Sequence, residues 1–140
     1  MQPGTGTWQQ PPEGWSKMNV DGSFVSEDGR AGVGLVARNS VGQVIFTAWR
    51  MLSRCVDAAE AEARACVEGI RFSAQWAPGA VIVELYCARV VHSLRRGDDH
   101  WRIDLVKRDC NAVANELAHL AGGTPIWQFG WAKHLRVCWT

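Results

Sequence analysis

The chain has 140 residues, of which 47% are hydrophobic, and its 15 Lys and Arg against 14 Asp and Glu give a formal net charge of +1. This length supplies one hydrophobic core and excludes a second domain of ordinary size. The near-neutral charge excludes attraction of the whole molecule to a polyanion, so any contact with nucleic acid must come from a local patch.

Targeting and cysteine patterns narrow the class of protein. No uncharged apolar run approaches the ~20 residues that a membrane-spanning helix needs, and residues 1–16 show neither the basic nor the apolar region of a secretion signal. The five cysteines are odd in number, widely spaced and without a Cys-x-x-Cys pair, a pattern typical of reduced thiols. We therefore expect an intracellular protein of the cytoplasm or nucleus, with no membrane partner.

The N-terminal part of the chain predicts a linker followed by three strands. Residues 1–15 are rich in Gly, Pro, Gln and Thr, which indicates a flexible linker. From Ser16 to Phe24 apolar and polar residues alternate, and two more strand-like runs follow over residues 31–39 and 44–52. The turns between these strands are too short for crossovers, so the three strands must be antiparallel.

After the third strand the pattern changes to that of a helix. Asp57, with Glu60 three positions later, predicts the N-terminus of a helix that runs to Trp76. A near-continuous apolar run, a short helix, an alternating strand and a last helix follow over residues 80–86, 87–96, 101–108 and 111–121. Strands reached through helical crossovers lie parallel to their neighbours, so we predict an α/β fold with a mixed five-stranded sheet flanked by helices.

One face of the predicted long helix carries a carboxylate among small residues. Glu62 follows Ala58 by four positions and precedes Ala65 by three, so the three residues share one stripe. A carboxylate on a packing face is costly unless it is paired, protonated or bound to a metal. Glu62 is thus a candidate for chemistry, although a glutamate that extends to solvent fits the pattern equally well. Asp21, followed by glycine in the first strand, is on pattern alone more typical of a turn.

Five runs of the sequence resemble, in content and order, the motifs of the plant RNase H-like domain, a retroelement-derived family associated with reverse transcriptases. They are KMNVDGSF, GVGLVARNSVGQVIF, AEAEARACVEGI, VIVELYCARVV and KRDCNAVANELAHLA. The resemblance implies an RNase H-like domain over residues 16–122, followed by a Trp-rich tail over residues 123–140. In that family the sheet carries acidic residues that hold two Mg²⁺ ions and hydrolyse the RNA strand of an RNA/DNA hybrid.

The resemblance also implies which residues form the site. Asp21 and Glu62 match the first two catalytic acids and metal ligands, whereas the third position reads Tyr86 and the fourth reads Asn115. The family has an Asp or often a His at the fourth position, where Asn115 could still offer one neutral amide oxygen. The bulky, protonated phenol of Tyr86 is a poor ligand for Mg²⁺. We therefore expect a degenerate two-metal site, with Mg²⁺ or Mn²⁺ as cofactor where activity survives. Glu84, on the same strand face as Tyr86, could substitute only after a local shift.

Contacts with nucleic acid are assigned to Asn111, Lys107 and Arg108. The basic pair can touch a phosphate backbone, and a solvated face among neighbouring aspartates is the alternative. Two functions stay open. The chain is either a nucleic-acid-binding domain with impaired or lost hybrid hydrolysis, or a pseudo-enzyme that serves as a protein-interaction module within a larger plant protein.

The crossover between the fourth and fifth strands is about one helix shorter than in the family. Such a gap would uncover part of a sheet face, and exposed apolar faces mark interaction sites. Eight tryptophans are present, and five of them lie near the two chain ends. We expect the Trp-rich tail to dock on the domain and fill this gap, or else to offer it to a protein partner. A homodimer through this face stays open.

Overall fold

The computed structural model describes residues 7–76, 79–94, 101–120 and 128–131. In chain order the elements are β1 (Trp15–Phe24), β2 (Ala31–Arg38), β3 (Val44–Leu52), α1 (Ala58–Trp76), β4 (Ala80–Leu85), α2 (Ala88–Leu94), β5 (Trp101–Leu105), a 3-10 turn (Arg108–Asn111), α3 (Ala112–Leu120) and β6 (Gln128–Trp131). All five predicted strands and all three predicted helices are present. No helix in these ranges has the length and apolar character needed to cross a bilayer.

The strands form one mixed sheet in the order β5-β4-β1-β2-β3-β6. The first three strands pair antiparallel, whereas β4 lies parallel to β1 and β5 lies parallel to β4. The predicted mixed α/β sheet is therefore confirmed.

The sixth strand is a correction to the predicted five-stranded sheet. Residues 128–131, placed by the sequence in a tail over the sheet face, pair antiparallel with β3 at the sheet edge. An edge strand presents unpaired backbone N–H and C=O groups, which a further strand satisfies. The other residues of the tail lie outside the described ranges.

Several of the described apolar residues of the sheet next to the short crossover are buried. Val83, Leu85 and Ile103 on β4 and β5 are 1%, 0% and 2% exposed. Val90 and Val91 of α2 belong to the same hydrophobic cluster. The seven-residue α2 therefore contributes to the cover over these two strands.

Part of the predicted linker contacts the domain. The indole Nε1 of Trp8 donates a hydrogen bond to Asn19 Oδ1 at 3.0 Å, and Lys17 Nζ donates one to the Gln9 carbonyl at 2.5 Å. Pro11 is buried. The composition of residues 1–15 did not predict these contacts. Trp8 alone supplies the apolar surface and the indole N–H donor, and one residue has little weight in the average composition of the segment. The other domain boundaries stay predictions.

The N-terminus of α1 forms as its sequence predicts. Asp57 Oδ1 accepts a hydrogen bond from the Glu60 backbone N–H at 2.8 Å. Glu60 Oε2 in turn accepts one from the backbone N–H of Val56 at 2.6 Å. The first bond satisfies a backbone donor that the start of a helix leaves unpaired, and the second ties the Glu60 side chain to the residue before the cap. Glu60 is thereby used at the helix end, and Glu62 is left on the side that faces the sheet.

Two glycines let helices approach the sheet on its opposite faces. A Cβ on Gly22 of β1 would lie 2.6 Å from the backbone of Ala61 in α1. A Cβ on Gly34 of β2 would collide with the carbonyl oxygen of Ala114 in α3. Gly34 pairs with Asp21, one residue before Gly22, so the two helices lie on opposite faces of the sheet. Both helices therefore reach the strands at the level of Asp21.

Candidate metal and nucleic-acid site

The four positions that the resemblance implies line one cavity of about 500 Å³. Asp21 comes from β1, Glu62 from the second turn of α1, and Asn115 from α3. Tyr86 directly follows the last residue of β4. Residues that are far apart in the chain, on a strand, on two helices and at the end of a second strand, therefore lie around the same cavity.

The carboxylate of Asp21 is held by the amide of Asn115, at the position where the resemblance implies an Asp or a His. Asn115 Nδ2 donates a hydrogen bond to Asp21 Oδ2 at 2.7 Å, and Asp21 is only 6% exposed. A charge-assisted hydrogen bond of this kind stabilises the carboxylate without a cation.

Glu62 lies beside Asp21 with one of its oxygens unpaired. Its Oε1 accepts a hydrogen bond from the backbone N–H of Gly22 at 3.2 Å, whereas no donor among the described residues reaches its buried Oε2. Burial, then a hydrogen bond with Asp21 and the charge of Asp21, raise the pKa of Glu62 from its ordinary 4.5 to about 10. Without a cation Glu62 is therefore protonated at neutral pH and can donate to Asp21.

The raised pKa of Glu62 predicts how stability depends on pH. The folded protein keeps a proton that the unfolded chain releases near its ordinary pKa of 4.5. The free energy of unfolding should therefore fall as pH rises from about 5.5 to about 8.5, because the unfolded state binds fewer protons in this range. Glu62→Gln, which mimics the protonated acid, should make this dependence flatter.

Urea denaturation of the wild type and of Glu62→Gln at three pH values in this range measures the effect. Glu60→Gln is the matched control, since Glu60 caps the helix away from the cavity. Equal pH slopes for the wild type and Glu62→Gln would contradict the assignment of this proton to Glu62.

Tyr86 and two side chains that the sequence analysis did not select complete the cavity wall. Tyr86 is 49% exposed and contributes an aromatic ring in place of a carboxylate. Cys87 and His119 also line the cavity. His119 Nδ1 lies 2.8 Å from the Asn115 carbonyl oxygen. The sequence feature that could have identified His119 as a cavity residue is its position four residues after Asn115, because residues four apart lie on one face of a helix.

Glu84 does not substitute for the missing acid. Its Oε2 lies 3.1 Å from Lys17 Nζ, and its Oε1 accepts a hydrogen bond from Asn19 Nδ2 at 3.0 Å. With both oxygens engaged, and the side chain away from the cavity lining, Glu84 serves as the buried partner of Lys17.

Asn111, one of the residues assigned to nucleic acid, lines the cavity but is held in a buried hydrogen-bond network. Its side chain is 2% exposed, its Nδ2 donates to the Val20 carbonyl at 2.7 Å, and its Oδ1 accepts from Asn19 Nδ2 at 3.1 Å. Asn111 thus ties the start of α3 to β1. Lys107 is exposed just before the 3-10 turn, as a backbone contact requires. The side chain of Arg108 lies outside the described part of the chain.

The residues present fit one cation better than two. Asp21 and, once it has lost its proton, Glu62 would supply the hard oxygen donors that Mg²⁺ prefers. Over the described ranges, no group of three or more His, Cys, Asp or Glu side chains is arranged to hold a metal ion. A second ion would therefore lack carboxylate ligands.

A comparison of the sequence with protein-family models decides the family. Residues 19–102 match the model of a family described as reverse transcriptase-like, which is more than half of the chain. The chain belongs to the reverse transcriptase-like family. The matched part of this reverse transcriptase-like chain includes Asp21, Glu62 and Tyr86, whereas Asn115 lies beyond it. A search of curated proteins finds no match.

Solved structures show the fold of this reverse transcriptase-like chain. It is similar to RNase H1 from Halobacterium salinarum, with a TM-score of 0.68 and 20% identity over 77% of this chain and 97% of the other. It is also similar to LC11-RNase H1 in complex with an RNA/DNA hybrid, with a TM-score of 0.64 and 16% identity over 76% of this chain and 96% of the other. With the prototype foamy virus protease-reverse transcriptase, the TM-score is 0.64 and the identity is 18%, over 78% of this chain but 21% of the longer viral chain. The fold is therefore that of RNase H.

Proposed function

We propose that this chain is a nucleic-acid-binding domain with a degenerate two-metal site, in which hydrolysis of RNA/DNA hybrids is strongly impaired or lost. The hydrogen bond from Asn115 to Asp21 is the observation that carries this proposal. This bond places a hydrogen-bond donor at a position where a carboxylate would attract a cation.

The side chains that remain suggest what the cavity can still do. Asp21 and Glu62 would hold one Mg²⁺ or Mn²⁺, and a bound ion would supply positive charge to a phosphate oxygen. Exposed Lys107, near the start of α3, would contact a phosphate backbone. The hybrid is the substrate class that this proposal adopts, because a solved structure of the same fold is described as a complex with an RNA/DNA hybrid.

Binding and cleavage of a labelled RNA/DNA hybrid test the proposal. We expect binding that weakens linearly on a plot of log affinity against log salt, because phosphate contacts release counterions. With Mg²⁺ or Mn²⁺ we expect no cleavage, or a trace that Asp21→Asn abolishes. Efficient turnover by the wild type would contradict the degenerate site, and the absence of salt-dependent binding would contradict the nucleic-acid function.

A charge substitution locates the nucleic-acid surface. Lys107→Gln should weaken hybrid binding and reduce the salt slope by about one unit, as expected for one lost phosphate contact. Arg71→Gln on α1 is the matched control, because Arg71 is an exposed cation on a different face of the molecule. If both substitutions change the slope equally, Lys107 has no special part in the interface.

A second function is favoured by the same hydrogen bond together with the net charge of +1. In this alternative the chain is a pseudo-enzyme that serves as a protein-interaction module, with no hybrid binding at any salt concentration. The proposal also includes an origin in the plant branch of the family and a place within a larger plant protein. It further includes a cytoplasmic or nuclear location, and a protein partner or a homodimer through the Trp-rich tail.

A further inference from the structure

The sheet face that carries Asp21 also contains a buried polar network. Its members are almost inaccessible to solvent, with exposures of 5% for Lys17, 1% for Asn19, 7% for Glu84 and 2% for Asn111. Buried polar groups must be hydrogen-bonded to avoid a large desolvation cost. The orientation of each amide in this network is therefore constrained by its neighbours.

Trp8 sets the orientation of the central amide. Its Nε1–H donates to Asn19 Oδ1, so that Asn19 Nδ2 faces the acceptors Glu84 Oε1 and Asn111 Oδ1. An indole nitrogen can only donate, which excludes the reversed amide. A reversed Asn19 would also place its oxygen against two other acceptor oxygens.

The N-terminal segment, defined as residues 7–12, is anchored at further points. The Trp8 ring lies 4.7 Å from the Arg38 guanidinium and 5.4 Å from the Lys17 ammonium, measured to the ring centroid. Lys17 also donates to the Gln9 carbonyl, and the Cys110 thiol contacts the Thr7 carbonyl at 3.4 Å. The segment therefore contacts both β1 and the turn that precedes α3.

The network continues in one direction from Trp8 to the cavity. Asn19 donates to Asn111, and Asn111 donates to the carbonyl of Val20 at 2.7 Å. One helical turn later, Asn115 donates to Asp21, the residue that follows Val20 in β1. Two successive asparagines of one surface thus fix the register of α3 on two successive residues of β1.

We propose that Trp8 is a positioning residue that holds Asn115 on Asp21 through Asn19 and Asn111, and that it thereby lowers the affinity of Asp21 for a cation. The part of this inference that concerns cation affinity rests on the proposed function of the cavity. The Asn115 amide competes with a cation for Asp21 Oδ2. Loss of the Trp8 donor loosens α3 and makes that oxygen more available.

The experiment compares Trp8→Phe with the matched control Trp15→Phe in the full chain. Both variants keep an aromatic ring and lose one indole N–H, and Trp15 contacts Arg102 instead of the network. In ¹⁵N-labelled protein we expect Trp8→Phe to shift the side-chain amide signal of Asn115 and to speed its hydrogen exchange about fivefold, the effect of one neutral hydrogen bond. Trp15→Phe should leave both unchanged.

Binding of Mg²⁺ alone, followed by calorimetry or by the same spectra, gives a second readout. Trp8→Phe should raise Mg²⁺ affinity about fivefold, which mere destabilisation of the fold would not do. An unchanged Asn115 signal, or equal changes in both variants, overturns the inference. If the wild type binds no Mg²⁺, the metal part of the proposed function fails, while the Asn115 signal still decides the positioning role.

A double-mutant cycle between Trp8→Phe and Asn115→Ala supplies an independent measurement. Residues without shared partners have effects on the unfolding equilibrium constant that multiply to within about twofold. We expect a clear departure from this product, because removing Trp8 already weakens the Asn115 contact. Simple multiplication would overturn the connection.

Discussion

Tyr86→Asp is expected to increase the Mg²⁺ affinity of the cavity by about tenfold or more, and to raise hybrid cleavage above the wild-type level. Tyr86 follows the last residue of β4 and lines the same cavity as Asp21 and Glu62. A third carboxylate adds a hard oxygen ligand and a negative charge, and the number of charged ligands strongly tunes affinity for divalent cations. The effect is large because the wild-type site begins with few charges.

Tyr86→Asn is the matched control for this prediction. It removes the same ring and has the size of aspartate but no charge, so it separates the charge from the space that the ring vacates. Isothermal titration with Mg²⁺ and a hybrid cleavage assay measure both variants. Equal affinity for Tyr86→Asp and Tyr86→Asn would show that the position does not reach the metal. Adding Asn115→Asp to Tyr86→Asp should raise affinity and cleavage further, because it also removes the amide that holds Asp21.

Gly22→Ala is expected to lower the free energy of unfolding by about 3 kcal/mol, the upper part of the range for overpacked cores. The new Cβ would lie 2.6 Å from Ala61 backbone atoms and 2.8 Å from the Glu62 backbone nitrogen. Helix backbone cannot rotate away as a side-chain tip can, so α1 must move as a unit. That movement would also carry Glu62 away from Asp21.

Gly69→Ala is the comparison, since it adds the same methyl group to the same interface. There the Cβ would meet a methyl of the Val20 side chain at 2.5 Å instead of backbone. Alanine also favours the helix over glycine by about 1 kcal/mol, which offsets part of the overlap. Urea denaturation should therefore give a much smaller loss for Gly69→Ala than for Gly22→Ala. Equal losses would contradict the view that backbone contact at Gly22 sets the position of α1.

Local patterns predicted much of the fold. The alternation from Ser16 to Phe24 and the cap formed by Asp57 and Glu60 depend on neighbours within a few residues, and such preferences can be read from a sequence. The stripe of small residues also separated Glu62, which lines the cavity, from Glu60, which caps the helix. Resemblance to a known family supplied the remaining positions of the site.

Contacts between distant parts of the chain were not predicted. The partner of Glu84 is Lys17, Asn111 faces inward, and Trp8 of the predicted linker reaches Asn19. Each of these pairings depends on which strand lies beside which and in what register. A one-residue change in strand register would turn Lys17, Asn19 and Glu84 to the other face of the sheet.

The sequence by itself determined the order of strands and helices, and its resemblance to a known family implied that Tyr86 and Asn115 stand at the third and fourth positions of the site. Only the tertiary structure decided how these positions act together. It turned the Asn115 amide toward Asp21, left Glu62 Oε2 without a donor among the described residues, and added β6 to the sheet edge. The physical reason is that hydrogen bonding and burial depend on the three-dimensional neighbours of a group, whereas propensity and capping depend on its neighbours along the chain.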